Sequence, residues 1–351
     1  MLRETTLRTD RHETFYLAAG PEDGTPLIFV HGWPELSLSW RGQLPVFGGL
    51  GFRAVAPDMR GYGRSAVHAA REAYALEEAV ADMVELLDHL GAETAVWVGH
   101  DWGAPVVWAM AQQHPERVEA AAGLCVPYLP EGLSVESAAP LADRELYPED
   151  RCPAAQWDYQ LFYRESLDAA VAAFEADPAK SVRALFRAGR AGALAEPSPT
   201  ASVRARGGWF DGGPAPAAPL DTRVLSEAEA AAYAEALGRN GFRAPAYWYL
   251  NGEANAAYAA RARDRWRLEM PVLFLHAAHD AVCETLPSRL ARPMRAHCAD
   301  LTETVIASGH WMAQERPAEV NAALARWLAV KRPDLWRVAP PPSGGQGAAD
   351  A

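Results

Sequence analysis

Three short runs in the first third of the chain, Pro26 to His31, Phe52 to Pro57 and Thr94 to Gly99, are dominated by apolar side chains and bounded by Gly or Pro. Runs of this length and composition read as strands, and strands too apolar to be half exposed belong inside a sheet covered on both faces. The covering layer is also visible. Between the last two runs Leu76, Val80, Met83, Val84, Leu87 and Leu90 recur at helical spacing and stop at Gly91, and a second helical pattern, Ala104 to Gln113, follows the third run. Strand and helix in alternation predict an α/β fold with a mostly parallel sheet.

The alternation lapses between Glu131 and Asn251, where aromatic-rich helical patterns (Trp157 to Tyr163, Phe174, Phe186) replace it and no run reads as a buried strand. It resumes with Pro271 to His276, a strand near Leu301 to Ile306, and a helix marked by Val320, Trp327 and Leu328. At about 150 residues per domain, 351 residues suggest two domains, and the interruption makes them one core split by an insertion. The expected division is core over 1–130, helical cap over 131–251, core again over 252–337, and a disordered tail over 338–351. Within the insertion, Gly207 to Pro219 has no periodicity and is expected to be a mobile loop.

Composition narrows the function class. Hydrophobic residues make up 50% of the chain, and 33 Lys and Arg stand against 45 Asp and Glu, a net charge of −12. An acidic surface repels phosphate backbones, so nucleic acid is not an expected partner. No run approaches the roughly 18 apolar residues that a membrane span needs. Arg3, Glu4, Arg8, Asp10 and Arg11 leave no signal-peptide core. Cys125, Cys152, Cys283 and Cys298 form no C-x-x-C pair, so a cytoplasmic protein is expected, with homo-oligomerisation left open. Trp, at 12 residues, is the outlier and implies a need for large flat apolar surfaces.

Gly99-His100-Asp101-Trp102-Gly103 stands between the strand ending at Val98 and the helix beginning at Ala104. Small residues on both sides of a central one allow the sharp strand-to-helix turn that lifts a nucleophile above a sheet, here with Asp in place of Ser. Alone, the string also reads as an Asp capping an ordinary βα loop. Three further pieces fall at strand ends: His31-Gly-Trp-Pro34, whose backbone N–H groups could face such an elbow; Asp280, a short turn beyond Leu275; and Gly309-His310-Trp311 after the last strand. Each has a bland reading as a turn residue, a loop cap or a surface histidine. Together, nucleophile, acid and histidine follow the chain order of α/β-hydrolases. Cys125 to Pro130 holds no carboxylate to compete with Asp280, and Ser65 reads as a helix N-cap. His276, His279 and Asp280 form a faint metal-ligand pattern, but a strand and a turn give no shared helix face, so no metal is expected.

Through HGWPE at His31 to Glu35, GYGRS at Gly61 to Ser65, GHDWG at Gly99 to Gly103, HAAHD at His276 to Asp280 and GHW at Gly309 to Trp311, residues 26–128 and 240–330 resemble the soluble epoxide hydrolases of the α/β-hydrolase fold. The resemblance extends into the insertion. Asp158 to Tyr163 and Gly241 to Asn251 are similar to the family's two cap segments that carry paired ring-opening tyrosines, which implies Tyr159 and Tyr249. Tyr163, four positions along the same helical pattern, and Tyr247 are their rivals by spacing. A cis peptide at Trp33–Pro34 is implied as well.

The implied activity is hydrolysis of an apolar epoxide to a vicinal diol, with water as the second substrate and no cofactor. An epoxide carbon is saturated and needs a nucleophile that is already negative, which suits a carboxylate at a helix N-terminus. The ring oxygen needs a neutral donor, and phenols, with a reference pKa near 10, remain protonated at neutral pH. In this scheme Asp101 forms an alkyl ester, and His310, oriented by Asp280, activates the water that cleaves it. The N–H groups of Trp33 and Trp102 receive the oxyanion, and Trp33, Trp102, Tyr128, Trp157 and Trp311 are expected to wall the pocket. The same nucleophile would serve a haloalkane or haloacid dehalogenase, which needs donors to a halide instead of a proton donor. A catalytically silent ligand-binding protein of this fold would be betrayed by a lost triad member, and none is lost.

Overall fold

The structure, a computed structural model, describes residues 2–336, so the tail expected over 338–351 lies outside the described residues. Eight strands form one sheet: β1 (Arg3–Arg8), β2 (Glu13–Ala19), β3 (Pro26–Val30), β4 (Arg53–Pro57), β5 (Ala95–His100), β6 (Val118–Leu124), β7 (Leu268–Ala277) and β8 (Cys298–Ile306). Their order is β1-β2-β4-β3-β5-β6-β7-β8. The pairs from β4 to β8 are parallel, whereas β1 and β2 add an antiparallel edge. Every residue of β3 and β5 is buried, as the continuous apolar runs demand. The helices Leu76–His89 and Gly103–Gln113 connect β4 to β5 and β5 to β6, and Pro317–Lys331 follows β8. No helix among the described residues is long and apolar enough to cross a membrane.

Between β6 and β7 the chain is helical, through Asp158–Glu175, Pro178–Leu185, Glu227–Asn240, Arg243–Tyr247 and Gly252–Ala259. The helix Glu227–Asn240 starts at a capping box: Ser226 Oγ accepts from Glu229 N at 3.3 Å while Glu229 Oε2 accepts from Ser226 N at 2.7 Å. This insertion is tied to the core by Trp248 Nε1 donating to Arg60 O at 3.3 Å, Asn251 Nδ2 to Arg71 O at 2.9 Å and Trp311 Nε1 to Leu185 O at 2.9 Å. The Trp33–Pro34 peptide is cis. Ser65 does not cap a helix. Its hydroxyl donates to Asp58 O at 2.6 Å and accepts from Phe15 N at 2.9 Å, so it stitches the turn after β4 to β2.

Register brings the C-terminal ends of the parallel strands together: Val30 lies opposite Gly99, Gly99 opposite Gly123, and Gly123 opposite Phe274. The loops leaving these ends carry every triad residue, as expected where ligands meet open α/β sheets. The turn from β5 into its helix is possible only with small residues. A Cβ on Gly103 would lie 2.0 Å from Val30 O, and one on Gly99 would lie 2.3 Å from Gly103 O. Gly103→Ala is therefore expected to destabilise the protein by about 1–3 kcal/mol. A thermal melt should show a transition several degrees lower, and an unchanged melt would contradict this close packing.

Candidate active site

Asp101 sits at φ 49°, a left-handed conformation rare for a residue with a side chain. The turn raises its carboxylate above the sheet toward the loop after β3. That loop approaches closely, since a Cβ on Gly32 would lie 2.4 Å from Asp101 Oδ1 and 2.5 Å from Trp102 N. Trp33 N donates to Asp101 Oδ1 at 2.6 Å. His31 keeps the loop in place: Met59 N donates to its Nε2 at 2.9 Å, so Nδ1 carries the proton and donates to Gly32 O at 2.9 Å. Burial lowers the His31 pKa, which keeps the ring neutral in this role.

The other carboxylate oxygen, Oδ2, is 3.5 Å from His310 Nε2, and His310 Nδ1 is 2.8 Å from Asp280 Oδ2. Asp280 is buried, and its second oxygen accepts from Val282 N at 2.9 Å and Cys283 N at 3.1 Å. Burial would raise the Asp280 pKa, but His310 and these backbone donors outweigh it and hold the carboxyl below its ordinary value. For His310 burial works the other way; Asp280, together with the hydrogen bond to Asp101, overrides it and raises the imidazole well above 6.5. The resting arrangement is an imidazolium between two carboxylates.

Beneath it lies a second pair. His100 Nδ1 is 2.7 Å from Glu35 Oε2, and His100 Nε2 donates to His310 O at 2.7 Å. Glu35 Oε2 also accepts from Gly32 N, and Oε1 from Gln314 Nε2, each at 2.9 Å. Burial opposes the charge on Glu35, yet His100 holds its pKa down to about 2, while His100 itself is raised well above 6.5. Both residues stood inside recognised sequence motifs. Nothing in the spacing of Glu35 and His100 announced that they pair.

A cavity of about 360 Å³ opens over Asp101, with Trp33, Tyr159, Trp209, Tyr249 and His310 on its wall. Tyr159 and Tyr249 are buried, with ring centroids 5.5 Å apart. Burial, with Asp101 and other nearby groups adding to it, raises both phenols above their ordinary pKa of 10 and keeps them protonated. Of the rivals, Tyr163 stacks behind Tyr249 at 4.9 Å, and Tyr247 packs on Tyr74 at 5.6 Å.

The expected pocket wall needs correction. Trp33 and Trp311 line the cavity, but Tyr128, Trp157 and Trp102 do not. Tyr128 packs on Trp108 and donates its hydroxyl to Trp266 O at 2.7 Å, which anchors it in the core. Trp157 is buried within the insertion. Trp102 lies behind Tyr249, with ring centroids 5.3 Å apart. Their place is taken by Trp209, which the sequence assigned to a mobile loop. Its indole stacks on Trp33 at 5.7 Å and meets Tyr159 at 5.2 Å and Phe174 at 5.5 Å. A lone Trp among Gly and Pro has no periodicity to reveal such packing.

Metal-ligand geometry recurs, among the described residues, only around the imidazole. Among the described residues, Asp280, Cys283 and His310, and separately His100, Cys125 and His310, place ligand atoms within 4.8 Å of one another. His310 is common to both groups, and its Nδ1 is already hydrogen-bonded to Asp280. His276, of the faint sequence pattern, is engaged by Thr285 at 2.7 Å and Glu303 at 2.9 Å.

Residues 25–317 match the α/β hydrolase fold family. The chain is 37% identical over 314 residues to epoxide hydrolase A of Mycobacterium tuberculosis, covering 88% of this chain and 91% of that protein. It is 34% identical over 310 residues to bifunctional epoxide hydrolase 2 of Sus scrofa, but spans only 51% of that longer protein. The crystal structure of epoxide hydrolase A from Mycobacterium thermoresistibile superposes with a TM-score of 0.76 at 34% identity, covering 93% of this chain and 98% of that one. The parallel sheet, the Asp-bearing elbow and these relatives agree: the chain belongs to the epoxide hydrolases of the α/β-hydrolase fold.

Proposed function

We propose that this chain converts uncharged, apolar epoxides to vicinal diols through an alkyl ester on Asp101. The observation that carries the reading is the placement of two buried phenols, Tyr159 and Tyr249, on the wall of the same cavity as a carboxylate that touches an imidazole. A halide leaving group needs no proton, whereas an epoxide oxygen does. The helical insertion over 131–251 serves as the cap that brings those donors over the sheet.

Oδ1 of Asp101 is held by the Trp33 N–H, which leaves Oδ2 to attack the epoxide carbon in line. The C–O bond breaks, and the ring oxygen takes a proton from one phenol while the second shares the charge. Ester formation removes the negative charge of Asp101, and with it one of the influences that raise the His310 pKa. His310 then passes its proton to the phenolate across the cavity that both line, restoring the phenol, and becomes the base for the second half. It takes a proton from water, whose oxygen attacks the ester carbonyl carbon. The oxyanion forms on Oδ1, facing the N–H groups of Trp33 and Trp102. Collapse expels the diol with Oδ2 as its second hydroxyl oxygen and His310 returning the proton. Asp101, now a carboxylic acid, gives its proton to His310, which restores the carboxylate and the imidazolium.

Single turnover with excess enzyme in isotopically heavy water tests this route. The Asp101 carboxylate should gain the heavy oxygen and the first-formed diol should not; label in that diol would refute the ester. His310→Gln should stall at enzyme plus substrate by intact mass. Replacing Tyr159 and Tyr249 together with Phe should slow alkylation about 100-fold or more, and a near-normal rate would remove them from the mechanism. Asp280→Asn deletes the main group that raises His310, so the pKa of the base falls. The acidic limb of ester hydrolysis should move to lower pH, even as the maximal rate drops; an upward shift or none would contradict the assignment.

A further inference from the structure

One carboxylate oxygen joins the insertion to the histidine loop at the cavity rim. Glu315 Oε2 accepts from Gly309 N at 2.9 Å and from Gly189 N at 2.9 Å. Gly309 immediately precedes His310, and Gly189 lies just beyond the helix Pro178–Leu185 of the insertion. The two glycines meet backbone to backbone, since a Cβ on Gly189 would lie 2.3 Å from Gly309 N and one on Gly309 would lie 2.5 Å from Gly189 N. The next residues are held as well. Ala188 N donates to Asp221 Oδ2 at 3.1 Å, and Trp311 stacks on Phe186 at 4.2 Å while its indole donates to Leu185 O. Both neighbours of His310 are thus pinned to the same stretch of the insertion, Trp311 by its side chain and Gly309 through Glu315.

We propose that Glu315 is a positioning residue for ester hydrolysis, holding the His310 loop against the insertion so that the imidazole keeps its distance from the Asp101 ester. This rests on the role given to His310 above. A carboxylate accepting two N–H groups makes charge-assisted bonds stronger than neutral ones. Without it the Trp311 side of the loop and the His310 carbonyl stay anchored while the Gly309 side is released, and the ring can tilt about those remaining anchors. Displacement of a catalytic group by about 1 Å can slow a step by as much as 100-fold. Alkylation depends on Asp101 and the phenols and does not use His310 as a base, so the damage is confined to the second half-reaction.

The test separates the two half-reactions in the full chain by rapid quench and intact mass. Glu315→Ala should alkylate at close to the parental rate, hydrolyse the ester roughly tenfold or more slowly, and accumulate enzyme plus substrate. Glu315→Gln keeps an oxygen able to accept both N–H groups and should restore most of the hydrolysis. Parental ester decay in Glu315→Ala, slowing of both half-reactions in proportion, or no rescue by Gln would each overturn the proposal. Should Glu315→Ala not fold, Gly189→Ala pushes the same contact apart from the opposite side, with the same ester accumulation expected and parental decay refuting. His310→Gln is run beside them. Failure of that variant to build up ester refutes the proposed function, whereas ester in it together with parental decay in Glu315→Ala refutes only the part given to Glu315.

Discussion

Glu35 and His100 lie 2.7 Å apart, both about 1% exposed. Removing two such charges from water costs several kcal/mol per ion, and the arrangement offsets this by satisfying every remaining site of the pair. Both imidazole nitrogens donate, one to Glu35 and one to the His310 carbonyl; the carboxylate also accepts from Gly32 N and Gln314 Nε2. The pair and its partners come from three parts of the chain: the loop after β3, the end of β5 and the segment after β8. The pair therefore joins the loop that carries the proposed oxyanion donor, the strand that leads into the proposed nucleophile and the loop that carries the proposed base. Loss of either member would leave a buried charge without its counter-ion and free all three together.

The same chemistry is repeated one layer up with a different purpose. Asp101, His310 and Asp280 alternate in charge, and together with Glu35 and His100 the site rests with one negative charge in excess. In the proposed mechanism that excess charge is the nucleophile. Attack moves it from Asp101 to the substrate oxygen, and proton transfer moves it on to a phenol, so alkylation creates no new charge in a cavity walled by indoles and phenols. His310 meanwhile loses the carboxylate that favoured its protonated form, so the chemistry of the first half switches on the base for the second. Glu35 and His100 never change their charge, which suits them to hold geometry while the upper layer reacts.

Much of this was legible in the sequence because it is encoded locally. The buried strands follow from continuous apolar runs, the helix Leu76–His89 from its period, and the elbow from glycines that a Cβ would ruin. β1 escaped notice because an edge strand carrying Arg3, Glu4 and Arg8 has little apolar content to reveal it, whereas β2 was missed although Phe15 to Ala19 are apolar and buried. The pairing of Glu35 with His100, the clamp by Glu315 and the insertion of Trp209 escaped for another reason. Each is a contact between segments far apart in sequence, made by residues whose types suit ordinary turns and surfaces equally well. Tyr128 shows the converse error: an aromatic near a strand end was placed in the pocket, and its hydroxyl is instead held by Trp266 in the core.

In the proposed mechanism the tryptophans bear on how the phenols act as acids despite the packing around them. Trp102 and Trp248 lie 6.1 Å apart, Trp102 against Tyr249, while Trp209 meets Tyr159 from the other side. Burial in this aromatic casing raises the phenol pKa, which weakens them as acids in the resting site. The alkoxide released by an opening epoxide is a stronger base than a phenolate, so transfer remains downhill once the C–O bond begins to break. A single buried phenolate in a dry pocket would be costly, and a second phenol able to donate a hydrogen bond to it lowers that cost. Two tyrosines meeting at 5.5 Å therefore give a donor that stays protonated while the cavity is empty and yields its proton only to the base that the reaction itself produces.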